Sequence, residues 1–202
     1  MSDNSNYCKS LVIVFSIHMV MFFGVLAAGI YANSSALLAD SLDFIGDAAN
    51  YALTFYVMSR GVVMRASAAM LKAVTMLAFG VPMLIYALSQ YSGEVVPNSE
   101  VMNASGLLGL SAHLICVYYL YKFRKGDSNL LSVWVCTIND LISNVLIVIG
   151  AYLVHTTNSI VPDIVVAIII VAIALIGACI IFARALNEIK AFRLNKLQEL
   201  KI

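Results

Sequence analysis

Four aspartates, Asp40, Asp43, Asp47 and Asp140, interrupt stretches of the chain that are otherwise almost free of charge. Asn33, Asp40, Asp43, Asp47 and Asn50 follow one another in steps of seven, three, four and three. On a helix that spacing places all five on one stripe. Cys136, Asp140 and Asn144 recur every four residues, with Ser143 beside them, and make a second polar seam. Residues four apart are separated by about 6 Å along a helix axis. Two antiparallel helices can therefore bring the pairs Asp43/Asp47 and Cys136/Asp140 around one point. Three oxygen donors and one sulfur suit a divalent cation, and Zn²⁺ accepts both donor types in tetrahedral geometry. The plainer alternatives are protonated aspartates hydrogen-bonded between helices, with Asn and Ser as interhelical glue and Cys136 as a small packing residue.

The elements that must position these residues are membrane helices. Of 202 residues 62% are hydrophobic and only 11% charged, with a mean hydropathy of +0.94. A soluble domain carries about a quarter charged residues, so an ordinary cytosolic globule is excluded, and nucleic acid is not an expected partner. Six apolar runs, near 10–31, 36–59, 68–90, 103–122, 131–154 and 162–184, are separated by short polar breaks. Each has about the 20 residues a spanning helix needs. The expected fold is all-α: a polytopic membrane protein of six transmembrane helices, with the lipid bilayer as its surroundings. The first run is longer than the apolar core of a secretory signal and is read as an uncleaved helix.

Charge sets the orientation. Lys9, Arg60, Arg65, Lys72, Lys122, Arg124, Lys125, Arg184, Lys190, Arg193, Lys196 and Lys201 all fall toward the side shared by the two termini. The opposite loops hold Glu94, Glu100 and His155 as their ionisable groups. The positive-inside rule then makes the N- and C-termini cytoplasmic. Cys8, Cys116, Cys136 and Cys179 are placed on the reducing side or within spans, so no disulfide framework is expected. Residues 1–186 form the expected membrane domain. Residues 187–202 form a short basic tail carrying Ile189, Phe192, Leu194, Leu197 and Leu200, suited to the anionic membrane surface or to a second subunit, the alternative being an ordinary solvated helix end.

The segment Ser35-Ala-Leu-Leu-Ala-Asp-Ser-Leu-Asp-Phe-Ile-Gly-Asp47 resembles the second membrane helix of the cation diffusion facilitator family, in which a His or Asp is followed four residues later by Asp. Trp134-Val-Cys-Thr-Ile-Asn-Asp-Leu-Ile-Ser-Asn-Val145 resembles that family's fifth helix, usually HxxxD. Arg65-Ala66 is similar to its Arg-Ala-Glu stretch and Pro162-Asp163 to the opening of its sixth helix. The resemblance runs over about residues 10–186. It implies a transporter, commonly a homodimer, that exports divalent metal from the cytoplasm in exchange for protons, with Asp43, Asp47 and Asp140 in its metal site. Cys136 stands where the family usually has His, and Ser67 where it usually has Glu. The family's cytoplasmic metal-binding domain after helix six is expected to be absent.

A thiol ligates metal as thiolate, so metal binding should expel a proton from Cys136, which itself suggests metal-for-proton exchange. Sulfur also favours Zn²⁺, Cd²⁺ and Co²⁺ over Mn²⁺ or Mg²⁺. The expected function is proton-coupled efflux of divalent cations, Zn²⁺ first. The cation is cargo; no prosthetic group and no enzymatic activity are expected. Asp40, Asn50, Asn144, His18 and His113 are candidates for an accessory or proton-pathway role, the two histidines being alternatively plain interhelical hydrogen-bonding groups. The competing readings are a transport-inactive metal-binding or regulatory membrane subunit and a channel for protons or small cations. Short loops suit a bacterial inner membrane.

Overall fold

The computed structural model describes residues 2–92, 95–125 and 127–199. Glu94, Leu200 and Lys201, used above for orientation and the tail, lie outside the described residues. The described residues form six long helices: α1 (Ser2–Ala32), α2 (Ser35–Val57), α3 (Val62–Ser89), α4 (Ser99–Leu120), α5 (Ser128–Thr157) and α6 (Val161–Glu199). Short 3-10 turns follow α3 and α4, at Gln90–Ser92 and Tyr121–Phe123. Five of the six helices are long and apolar enough to cross a membrane. The sixth, α2, carries Asp40, Asp43 and Asp47 in its length, and these lower its apolar character. Large apolar side chains including Val20, Phe23, Ile85, Leu108, Ile149 and Ile176 face outward, as lipid-facing positions of a polytopic membrane protein do.

Local chemistry sets the helix ends. Asn33 turns left-handed at φ 52° and ends α1, and Asn158 does the same for α5 at φ 47°. Asparagine tolerates that conformation better than most residues. Ser34, Asn98 and Asp127 cap α2, α4 and α5 with side-chain oxygens that accept from Leu37, from Glu100 and Val101, and from Leu130. Asn33 therefore does not belong to the polar stripe of α2, as its spacing suggested. The turn between α1 and α2 claims it, and α2 begins two residues later.

α6 is continuous to Glu199, so the tail that begins at Asn187 extends the helix instead of forming a separate element. Its residues from Lys190 to Gln198 are exposed.

α2 lies at the centre of the bundle, touching all five other helices, while α3 and α6 form the most extensive pair. One buried side chain fixes how α6 meets α2. Asp163, fully buried in the first turn of α6, accepts from the Ser34 hydroxyl at 2.5 Å, the Ser35 amide at 2.7 Å and the Ala36 amide at 3.3 Å. Its carboxylate thus accepts from the orphan donors at the start of α2 and meets the positive end of that helix's dipole.

At the other end of the bundle, Arg65 pairs with Asp127 at 2.5 Å and the Ser128 amide donates to Glu188 at 2.8 Å. Losing Asp163 strands several buried polar groups at once. Asp163→Ala should lower the unfolding free energy in detergent by about 2–3 kcal/mol. A loss below about 0.5 kcal/mol, the level of an ordinary surface change, would show that this contact does not hold the two helices.

Candidate functional site

The polar seams of α2 and α5 face one another. Asp43, Asp47, Cys136 and Asp140 line a single cavity, together with Asn50, Asn139 and Ser143. α3 closes it with Thr75, Met76 and Phe79, and α6 with Ile170 and Ala174. Asp47, Cys136 and Asp140 are buried, and Asp43 is half-buried. The space open to a water-sized body is about 20 Å³. That suffices for about one water, hence for a stripped cation and not for one with its full hydration shell. A narrower apolar gap continues from it along Ala39, Leu42, Gly80, Met83 and Val171, toward the N-terminal end of α2.

Asp47 is the hub of the cavity wall. The Asn50 amide donates to its Oδ1 and the Tyr51 hydroxyl to its Oδ2, both at 3.2 Å. Asp47 shares this wall with Cys136 and Asp140. The sulfur of Cys136 has Asn50 Nδ2 at 3.8 Å and the Met76 thioether at 3.9 Å. A thiol held between an amide and a second soft sulfur, facing three carboxylates, is a mixed oxygen and sulfur donor set. Such a set can hold a divalent cation of borderline softness.

The remaining polar residues singled out in the sequence divide between two places. Asn50 belongs to the cavity. Asp40, Asn144, His113 and His18 lie behind Asp140, in the packing of α1, α2, α4 and α5. Asn144 Nδ2 donates to Asp40 Oδ1 at 3.2 Å and to the Asp140 carbonyl at 2.9 Å. His113 Nε2 stands 3.4 Å from Asp140 Oδ2. His18 Nε2 faces the Tyr51 hydroxyl at 3.3 Å. Both histidines are buried. His155, by contrast, sits at the exposed end of α5, with Ser99 Oγ at 3.5 Å. Cys116 is buried against His18 at 3.8 Å, whereas Cys179 is exposed.

Two features escaped the sequence reading. Tyr51 links Asp47, His18 and Thr137, the last at 3.2 Å. It stands four residues beyond Asp47, so the stripe that located the aspartates includes it. An aromatic residue in an apolar run does not advertise its hydroxyl. The second feature is Lys72, counted above only as a mark of orientation. Its amine is fully buried and donates to Thr54, to Asn129 at 3.1 Å and to Ser132 at 3.0 Å, joining α2, α3 and α5. The signal was the run of alanines around it. Ala66, Ala69 and Ala73 are buried on the same face, so the helices close tightly there and the lysine cannot reach water by extending its stem.

Gly109 makes the polar network behind Asp140 sterically attainable. A Cβ at this position would overlap the Asn144 amide oxygen, so only glycine lets α4 come this close to the side chain that holds Asp40. Gly109→Ala should lower stability by about 1–3 kcal/mol through overpacking. In the Asn144→Ala background the same change should cost much less. Equal costs in the two backgrounds would place the strain elsewhere.

The family model for the cation efflux transmembrane domain matches residues 11–190. No curated protein matches the chain.

Proposed function

Because the chain belongs to the cation efflux family, whose transmembrane domain covers residues 11–190, we propose that it exports divalent metal from the cytoplasm in exchange for protons. Zn²⁺ is the preferred cargo, followed by Cd²⁺ and Co²⁺. The observation that carries this reading is the cavity in which Asp43, Asp47, Cys136 and Asp140 meet between α2 and α5. Carboxylates in so apolar a setting are costly to keep charged, and a bound cation or bound protons relieve that cost. The same donors can hold metal or protons but not a full complement of both. Loading metal displaces protons, above all from the thiol, and returning protons weaken the ligands and favour release.

Cys136 sets the selectivity in this scheme. A thiolate with a neighbouring thioether favours Zn²⁺ and Cd²⁺, while Mn²⁺ and Mg²⁺ prefer all-oxygen sites. Asn50 ties Asp47 and Cys136 together, donating to Asp47 and standing 3.8 Å from the Cys136 sulfur. The small free volume means that the cargo sheds water on binding and receives protein donors in exchange. The protein acts as a carrier, not an enzyme, in a bacterial inner membrane with both termini cytoplasmic, and works as a homodimer.

Metal flux into sealed vesicles, with and without a pH gradient, tests the scheme. The wild-type protein should accumulate Zn²⁺ saturably and faster with the gradient. Asp47→Ala should cut the rate at least about tenfold, in line with the loss of more than 1.4 kcal/mol of cation binding. Metal binding without flux would favour a transport-inactive subunit, and flux without saturation a channel. Cys136→Ala should lower transport of Zn²⁺ and Cd²⁺ relative to Mn²⁺ by about tenfold. An unchanged metal preference would remove the thiol from the ligand set.

A further inference from the structure

We propose that His18, His113 and Asp140 form a second divalent-cation site, separate from the cavity and sharing Asp140 with it. The inference rests on the cavity reading for the nature of the cargo and for the double duty of Asp140. One nitrogen from each imidazole and one carboxylate oxygen all lie within 4.8 Å of one another, and all three residues are buried. They come from α1, α4 and α5, on the side of Asp140 away from α3 and α6.

Hydrogen bonding fixes which nitrogens are available. His18 Nδ1 lies 2.8 Å from the Val14 carbonyl and His113 Nδ1 lies 3.0 Å from the Gly109 carbonyl, each one turn back on its own helix. A carbonyl only accepts, so each Nδ1 carries the proton and each Nε2 presents a lone pair. Asn144 Nδ2 also lies 3.2 Å from His113 Nδ1. Its two N–H groups are occupied by Asp40 and the Asp140 carbonyl, so this contact does not change the tautomer. An imidazole whose far N–H is anchored to a backbone carbonyl is the usual arrangement of a metal-binding histidine.

The lone pairs of His113 and Asp140 then face each other, while His18 Nε2 has the Tyr51 hydroxyl at 3.3 Å. His113 Nε2 and Asp140 Oδ2 stand 3.4 Å apart, and neither has a hydrogen-bond partner. Two buried acceptors facing each other without a donor are destabilising. A cation between them removes the penalty. Donors bound to one Zn²⁺ at about 2.0–2.1 Å in a tetrahedron stand roughly 3.3 Å apart, so this pair is already at ligand spacing. His18 must close by up to about 1.5 Å to complete the set.

Phe44 holds the rings ready. It stacks on His113 with centroids 4.8 Å apart and meets His18 edge-on at 5.3 Å. Two imidazoles and a carboxylate suit Zn²⁺ and Co²⁺. This site contains no sulfur donor, and the cavity contains no histidine.

That contrast supplies the test. Of the three histidines in the chain, His155 is removed by His155→Gln, and the protein is purified without a histidine tag. It is loaded with Zn²⁺ or Co²⁺ and measured by metal stoichiometry and X-ray absorption. We expect about two equivalents per chain and a spectrum containing imidazole scattering as well as a sulfur shell at about 2.3 Å. Adding His18→Gln and His113→Gln should remove one equivalent and the imidazole signal while leaving the sulfur shell. A single equivalent with oxygen and sulfur ligands only would overturn the second site and leave the cavity reading intact. No bound metal would overturn both. The imidazole signal in the His155→Gln protein decides the question even if the further variants fail to fold.

Discussion

The cost of placing carboxylates in an apolar medium governs the rest of this structure. Asp40, Asp47, Asp140 and Asp163 are all buried, and Asp43 is half-buried. In lipid there is no water to share that burden, so each must find a donor, a proton or a cation. The bundle answers in three ways. Asp163 receives backbone amides and a hydroxyl, Asp40 receives an amide side chain, and the remaining acids share a cavity. The first use engages both oxygens of the carboxylate, and the second engages Oδ1 of Asp40 alone. The third leaves acceptor capacity open, and openness in a dry site is what permits reversible binding.

Much of this was legible in the sequence because helical periodicity survives in a membrane. Polar residues are rare enough that their spacing stands out, and Asp43, Asp47, Cys136 and Asp140 are drawn together from two segments far apart in the chain. Asn33 shows where the same reasoning goes astray. A polar residue just before a helix matches the stripe by number, yet a left-handed turn removes it, and spacing alone does not reveal a turn. Lys72 shows a different limit. A lysine near the end of an apolar run looks like a residue that reaches for the interface. The tight packing that denies it water depends on neighbouring helices, and no single segment carries that information.

The two sides of Asp140 differ in kind. Toward α3 and α6 it faces a space with mixed oxygen and sulfur donors. Toward α1 and α4 it faces nitrogen, in packing made dense by Gly109 and Phe44. Asn144 stands between Asp40, His113 and the Asp140 backbone, so a shift of α5 is felt at all three. Tyr51 spans the same divide from α2, with Asp47 on one hand and His18 on the other. The polar residues around Asp47 and Asp140 are therefore anchored on four helices, α1, α2, α4 and α5. A displacement of any of them changes the surroundings of the acids on the others.

The carboxylate of Asp163 also bears on how such a chain is assembled. α2 enters the bilayer with three aspartates and is the one long helix whose composition does not favour insertion by itself. The residue that completes its first turn arrives 128 positions after Ser35, on the sixth helix. The second helix therefore depends on the sixth, and its position becomes secure only when the whole bundle has been synthesised. Topology in this chain is a property of the finished assembly, and a truncation before α6 removes the partner that an earlier helix was waiting for.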